Sequence, residues 1–229
     1  MMSVARSART TRLASVVRWG ALLLAASAPA LAAASATTPD AAEREWNFRV
    51  LLDSREVGWH RYVVRGGGEA TEVESRAEFD VRLLFLNAYR YRHQASERWR
   101  GACLDALASR TETNGDVDVV AANARGGSLV VAGPTGDSRH AGCVMSFAYW
   151  DPRILEATRL LNPQTGELLP VRVANRGVET VDVAGRSVAA TRHQLSGPGL
   201  QIDLWYADGR WIALEAPTPG GRVLRYELK

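Results

Sequence analysis

Hydrophobic and polar residues alternate with a period of two along much of the chain, which is the pattern of a strand with one buried face. In EWNFRVLLD the apolar side chains are Trp46, Phe48, Val50 and Leu52. The longest such run is TEVESRAEFDVRLLF at residues 71–85, where one face is apolar and the other carries Glu, Asp and Arg. A helix would spread those charges around its whole surface. The pattern therefore predicts an antiparallel sheet with one solvated side.

The next predicted strand, NAYRYRHQASERW at residues 87–99, has an apolar face of a different kind. This face combines aromatic rings with titratable groups: Tyr89, Tyr91, His93, Glu97 and Trp99. On a strand, residues four apart are separated by about 13 Å. His93 and Glu97 are therefore too far apart to share a metal ion without other ligands.

Further short strands follow at spacings of about 8 to 15 residues, with glycine-rich turns that include the Asn114-Gly115 hairpin signal. An alternation of strands with helices is absent from the pattern. The predicted fold class is mainly β, with an antiparallel curved sheet or barrel of about eleven strands. Residues 46–229 are read as a single domain, because their length suits one hydrophobic core.

One helix is predicted inside SFAYWDPRILEATRLLNPQTGE, residues 146–167. Asp151 can cap the free N–H groups of a helix and Pro152 suits its first position. Asn162-Pro163 would end it, because the residue before a proline avoids the helical region. A helix of about ten residues is unstable alone in water. We therefore expect it to pack at the mouth of the sheet.

The aromatic residues around this helix leave two interpretations open. They are core residues, or they line a ligand cavity together with the aromatic face of the 87–99 strand. Under the second interpretation the ligand-binding residues are Tyr89, Tyr91, His93, Glu97, Trp99, Tyr149, Trp150 and Asp151.

The N-terminus has the features of a secretory signal peptide. Four arginines precede the apolar run ALLLAASAPALA, and Ala30-Leu31-Ala32 offers the small-x-small cleavage pattern. That run is shorter than the roughly 20 residues a membrane-spanning helix needs. We therefore expect a signal peptide at 1–32, a disordered stub at 33–45, no transmembrane segment in the mature chain, and a protein that is periplasmic or secreted.

Removal of the leader changes the charge. Without residues 1–32 the number of Lys and Arg falls from 28 to 24, against 25 Asp and Glu, so the net charge becomes −1. A near-neutral chain without a single-sign block gives no electrostatic basis for nucleic-acid binding.

Cys103 and Cys143 are the two cysteines of the chain. In an exported protein a pair of this kind is expected to form a disulfide, since the compartment is oxidising. The alternative, a reactive or metal-binding pair, lacks the short Cys-x-x-Cys spacing.

No cofactor, metal site or catalytic residue is predicted, because the chain has none of the motifs that carry such chemistry. A hydrolase is kept as an alternative, since a fold could bring Ser146, His93 and Asp151 together. Nothing in the local sequence supports that arrangement.

Four segments give the chain a resemblance to a secreted bacterial family of unknown function, domain of unknown function family 6134. They are WRGACL at 99–104, Asn114-Gly115, CVMSFAYW at 143–150 and LLNPQTGE at 160–167. The C-terminal half is also similar to a second unassigned group of envelope proteins, through LQIDLWYADGRWIALEA. The resemblance implies no activity, because the family has no assigned catalytic residues.

The leading functional hypothesis is an exported β protein that binds a lipid-like or amphipathic ligand in an aromatic-lined concavity. The alternative is an envelope interaction or assembly module that docks another protein on an open sheet edge or on the Glu/Arg-rich face at 72–82.

Overall fold

A computed structural model describes residues 43–83, 86–218 and 220–229 of the chain. The predicted signal peptide, the cleavage site near Ala32 and residues 33–42 of the predicted stub lie outside the described residues. The first strand begins at Glu43, so residues 43–45 belong to the sheet and not to the stub.

Strands make up most of the described chain. Their bounds are β1 (Glu43–Leu52), β2 (Arg55–Gly67), β3 (Ala70–Leu83), β4 (Leu86–Arg100), β5 (Cys103–Thr113), β6 (Asp116–Arg125), β7 (Ser128–Ala132), β8 (Ser138–Ala141), β9 (Arg159–Leu161), β10 (Leu168–Pro170), β11 (Arg172–Val183), β12 (Arg186–Gly197), β13 (Leu200–Ala207), β14 (Arg210–Pro217) and β15 (Val223–Leu228).

Thirteen of the strands form one antiparallel sheet, in the order β11-β12-β13-β14-β15-β1-β2-β3-β4-β5-β6-β7-β8. Two meanders, β1–β8 and β11–β15, are joined by the pairing of β1 with β15. The two end strands of the sheet, β8 and β11, are not paired with each other, so the sheet is not closed. β9 and β10 form a separate pair.

The antiparallel prediction is confirmed, but the predicted count of about eleven strands is too low. β8, β9 and β10 contain four, three and three residues. A period of two cannot be recognised over so few positions. The Asn114-Gly115 hairpin is present between β5 and β6, and both residues have positive φ values of 54° and 101°, as a tight two-residue turn requires.

The sheet is strongly curved, and its main core lies on the inner face. The indole N–H of Trp46 in β1 donates to the carbonyl oxygen of Trp211 in β14 at 3.0 Å, just beyond the end of β15 at Leu228. The ring of Tyr62 in β2 lies 5.4 Å from that of Trp211. Such contacts between strands that are not neighbours require the sheet to bend toward its inner side.

A second, smaller core lies on the outer face. The tip of the β11–β12 hairpin is not paired with β13, and it packs with residues of β13 and β14 that face away from the main core. The members of this cluster are Val181, Val183, Ala190, Trp205, Ile212 and Ala213. Ile202–Tyr206 of β13 is therefore buried on both faces.

Residues 143–171, here called the plug segment, lie across part of the inner face. The segment starts beside β5, where the N–H of Leu104 donates to the carbonyl oxygen of Val144 at 2.8 Å. It ends at Val171, directly before β11, and the N–H of Val171 donates to the carbonyl oxygen of Thr158 within the segment at 2.9 Å. Its side chains are among the most deeply buried of the described chain: Ile154, Leu160 and Leu161 have no exposed surface.

The predicted ten-residue helix is wrong. The described residues contain no α-helix, and the segment instead forms a 3-10 turn at Pro152–Glu156. Asp151 caps this turn and Pro152 begins it, as predicted. The next residues enter β9, where Leu160 and Leu161 are both fully buried. Consecutive helical residues point about 100° apart, so a helix would have buried only one of these two leucines against the sheet.

Candidate functional site

The inner face of the sheet has two regions with different environments. The plugged half is covered by the plug segment and includes Glu97, Trp99, Leu104, Val120 and Val131. The open half lies toward the β3–β4 and β5–β6 turns and includes His60, Phe79, Tyr89, Tyr91, His93 and Tyr226.

The open half contains a row of three parallel rings along β4. The rings of Tyr89 and Tyr91 are 6.4 Å apart and 9° from parallel. The rings of Tyr91 and His93 are 6.3 Å apart and 19° from parallel. Exposure falls along the row, from 37% at Tyr89 to 8% at Tyr91 and 7% at His93. The row therefore leads from solvent into the inner face.

Two histidines of the inner face are bound by hydroxyl groups. Nδ1 of His93 is 2.9 Å from the hydroxyl of Thr111 in β5. His60 in β2 is bound on both sides, with Nε2 2.8 Å from the Ser75 hydroxyl and Nδ1 3.2 Å from the Tyr226 hydroxyl. The strand register places His93 opposite Thr111 and puts only Ala77 between the two histidines.

Both histidines are neutral near pH 7. Burial lowers the pKa of His93 to about 4. Burial, and to a lesser extent repulsion from His93, lowers the pKa of His60 well below its usual value. Burial also raises the pKa of the Tyr91 hydroxyl. The open half thus offers neutral hydrogen-bonding groups between aromatic rings.

Glu97 occupies a different environment in the plugged half. Its carboxylate accepts hydrogen bonds from the Ser146 hydroxyl of the plug segment and from the indole N–H of Trp99, both at 2.9 Å. Burial raises the pKa of Glu97 to about 7, although the two hydrogen bonds oppose this shift. The Trp99 ring in turn meets the Trp150 ring edge to face at 5.5 Å. These residues connect β4 to the plug segment.

The remaining predicted ligand-binding residues also make structural contacts in this half. The buried carboxylate of Asp151 accepts hydrogen bonds from the Arg153 guanidinium and from the Arg153 backbone N–H. The carbonyl oxygen of Tyr149 accepts a hydrogen bond from the Tyr206 hydroxyl at 2.6 Å. The ring of Tyr149 lies 5.2 Å from the ring of Trp211.

The structure therefore divides the eight predicted ligand-binding residues into two groups. Tyr89, Tyr91 and His93 share the open half. The others, Glu97, Trp99, Tyr149, Trp150 and Asp151, lie at or within the plug segment. Sequence reasoning missed four polar residues of the open half: His60, Ser75, Thr111 and Tyr226. The period of two places His60 with Tyr62 on one face, but only the register shows which groups become neighbours.

The hydrogen bonds do not join the residues of the hydrolase alternative. Ser146 donates to Glu97, His93 is paired with Thr111, and Asp151 binds Arg153. Among residues 43–83, 86–218 and 220–229, no group of three His, Cys, Asp or Glu side chains is placed to hold a metal ion.

The predicted disulfide between Cys103 and Cys143 is confirmed. It connects the first residue of β5 to the first residue of the plug segment. The covalent bond therefore fixes one end of the segment that covers the plugged half.

Open grooves lie on the outer face of the sheet. One of about 450 Å³ is lined in part by Arg76, Gln94 and Arg110. The arginines of this face are paired with nearby carboxylates, as for Arg110 with Glu112 at 3.4 Å and Arg92 with Glu78 at 3.9 Å. The alternating charges thus neutralise one another across the face.

The comparison with protein families matches Domain of unknown function (DUF6134) to residues 48–229. The chain belongs to DUF6134. The resemblance carried by the four sequence segments is therefore confirmed. No curated protein matches the chain.

A solved structure shares the fold of this DUF6134 domain. The β-barrel-like protein of the domain-of-unknown-function family DUF1849 from Brucella abortus superposes with a TM-score of 0.60 at 11% identity. The match covers 82% of this chain and 96% of that one. At this identity the likeness concerns the fold alone, and it supports a barrel-like architecture. In the described part of the DUF6134 chain, no helix has the length and hydrophobicity needed to cross a membrane.

Proposed function

We propose that this DUF6134 protein binds a lipid-like or amphipathic small molecule at the open half of its inner face, and that it does so outside the cytoplasm after export. The observation that carries the proposal is the row of rings from Tyr89 to His93, whose exposure falls from 37% to 7%. A partly exposed tyrosine that continues into buried rings and neutral polar groups has the composition of a small-molecule site.

The division of the inner face supports the same assignment. In the plugged half, the protein's own segment fills the concave surface with side chains such as Leu160 and Leu161, which have no exposed surface. The open half retains neutral polar groups, such as the Tyr91 hydroxyl and the His93 imidazole, that a purely structural core avoids. A ligand would therefore supply partners for these groups.

The test is a titration of the mature protein with decanoate, lysophosphatidylcholine and decyl maltoside below their micelle concentrations. Calorimetry gives the affinity, and two-dimensional NMR of the tyrosine rings gives the position. We expect saturable binding by at least one amphiphile, with shifts at Tyr89 and Tyr91. Binding by none of the three at concentrations up to their micelle concentrations would overturn the proposal.

A matched pair of variants locates the site. Tyr89 on the inner face and Trp59 on the outer face are both 37% exposed, so Tyr89→Ala and Trp59→Ala remove aromatic rings of equal exposure. Tyr89→Ala should weaken binding about tenfold or more, whereas Trp59→Ala should leave it unchanged. An equal loss in both variants would contradict an inner-face site.

The alternative of protein docking on the face at 72–82 has weaker support. Its charged residues are balanced by neighbours of opposite sign, as for Glu74 with Arg65 at 2.9 Å. Exposed ion pairs of this type are common on solvated surfaces. Crosslinking of the intact protein followed by mass spectrometry tests this alternative directly.

A further inference from the structure

The described side chains of the open half carry no charge near pH 7. Those that the described parts of β1 to β4 direct inward at this end are apolar, aromatic, hydroxyl-bearing or histidine, as shown by Phe79 opposite Tyr91 and Ala77 opposite His93. Glu97, the inward acidic residue of β4, lies further along the strand and is bound by Ser146 and Trp99. An ionised ligand group at His93 would therefore lose its hydration without gaining an opposite charge.

The same region contains hydrogen-bonding groups without a protein partner. His93 binds Thr111 through Nδ1, and within the described residues its Nε2 has no hydrogen-bond partner. The Tyr91 hydroxyl likewise has none among the described side chains and backbone groups. Both residues retain slight exposure, at 7% and 8%. His60, by contrast, is bound on both nitrogens by Ser75 and Tyr226, so it has no remaining capacity.

The Tyr91 hydroxyl and the His93 ring nitrogen favour the polar end of an amphipathic ligand over its apolar end. An acyl chain placed against Tyr91 and His93 would leave a hydroxyl and a ring nitrogen unsatisfied, which is unfavourable in a buried site. A hydroxyl or amide group satisfies both, because the Tyr91 hydroxyl can donate or accept and the neutral imidazole has one free nitrogen. The ring of Tyr89 at the rim offers apolar surface for the remainder of the molecule.

We infer that the amphipathic ligand enters the open half with a neutral, hydroxyl- or amide-bearing head such as a sugar ring, which binds Tyr91 and His93, while its apolar tail stays at the Tyr89 rim. The inference rests on the proposed function and specifies the chemical class of the ligand. It predicts that, among ligands with the same tail, the head group decides affinity.

The test uses three probes with one eight-carbon tail: n-octyl β-D-glucoside, octanoate and n-octyltrimethylammonium. Affinities for the mature protein are measured by calorimetry below the micelle concentrations at pH 7. We expect the glucoside to bind at least tenfold more tightly than either charged probe. Equal affinities, or tighter binding of octanoate, would overturn the inference and leave the proposed function intact. Failure of all three probes to bind would overturn both.

Two variants identify the groups that recognise the head. Tyr91→Phe removes the hydroxyl and keeps the ring, and it should weaken glucoside binding about three- to tenfold while leaving octanoate binding unchanged. Tyr89→Ala, which acts on the tail, should weaken all three probes by the same factor. Unchanged far-ultraviolet circular dichroism shows that each variant is folded. Equal weakening of glucoside and octanoate by Tyr91→Phe would contradict the assigned contact.

Discussion

The two halves of the inner face show what a curved sheet needs in order to close its concave surface. In the plugged half, residues 143–171 of the chain itself supply apolar side chains and donate a hydrogen bond to the Glu97 carboxylate through Ser146. In the open half, the rings of Tyr89, Tyr91 and His93 lead outward and the polar groups are neutral. One half is therefore filled by the protein's own segment, and the other is where we propose that a ligand binds.

The halves also respond in opposite ways to pH. In the plugged half, Glu97 has a raised pKa because it is buried. In the open half, His93 and His60 have lowered pKa values for the same reason. Burial favours the neutral form of each group. An acid and two bases buried in one sheet therefore have opposing effects on stability between about pH 4 and pH 7.

The largest expected effect comes from removing the disulfide. The double variant Cys103→Ala, Cys143→Ala should lower the free energy of unfolding by about 4 kcal/mol, because the unfolded chain regains the entropy of the loop that the bond closes. Urea unfolding measures the loss. Hydrogen exchange should increase in the plug segment more than in β2 and β3. A larger increase of hydrogen exchange in the open half than in the plug segment would contradict the role assigned to the plug segment.

A truncation in each half tests the contrast in packing. Leu161→Ala removes a side chain with no exposed surface, so it should cost about 3 kcal/mol by leaving a cavity. Tyr89→Ala removes a ring that is 37% exposed and should cost less than about 1 kcal/mol. Both values come from urea unfolding at pH 7. Equal costs would mean that the open half is packed as tightly as the plugged half.

The pH dependence of the plugged half is tested by Glu97→Gln. The pKa of Glu97 in the folded protein is about 7, above its usual value of 4.5. Its contribution to stability is therefore complete below about pH 4.5 and is lost as the pH rises through 7. The variant should abolish this loss, which is about 3 kcal/mol. Glu72→Gln, a change at an exposed position of β3, is the control. An unchanged profile in Glu97→Gln would show that Glu97 ionises freely.

An effect of similar size but opposite pH dependence is expected from His93→Gln in the open half. The pKa of His93 is lowered to about 4 from 6.5, so its contribution to stability is present above pH 6.5 and is lost as the pH falls through 4. Gln cannot be protonated there, and the variant should retain about 3 kcal/mol more stability than the unmodified protein on going from pH 7 to pH 4. Part of the loss of stability at low pH remains in the variant, because His60 is unchanged. Thermal unfolding at several pH values measures the difference, and identical profiles would contradict it.

Several features of the fold were predictable because they are local. The alternation in β1 and β3 identifies strands and their buried faces, as confirmed by Trp46, Phe48 and Phe79. The Asn114-Gly115 turn requires positive φ values that few residue pairs accept. The cap at Asp151 and the start at Pro152 were also read correctly, since a cap depends on the next two or three residues.

The ten-residue helix predicted after Asp151 is wrong because the contacts that replace it are not local. The amphipathic spacing of Ile154, Leu155 and Leu161 suits a helix in isolation. In the folded protein, β9 pairs with β10 and buries Leu160 and Leu161 together. Tertiary burial of both leucines outweighs the local preference, which is small over so short a segment.

The sequence by itself determined the fold class, the inner and outer faces of the strands and the partner of each cysteine. The two-residue period of hydrophobic positions, the turn residues and the presence of a single cysteine pair leave few alternatives. Only the tertiary structure decided which inward residues meet. The register places His93 beside Thr111 and close to His60, and the path of residues 143–171 assigns Glu97 and Trp99 to the plug segment and leaves Tyr89 exposed. Both depend on contacts between residues that are far apart in the chain, which no local pattern records.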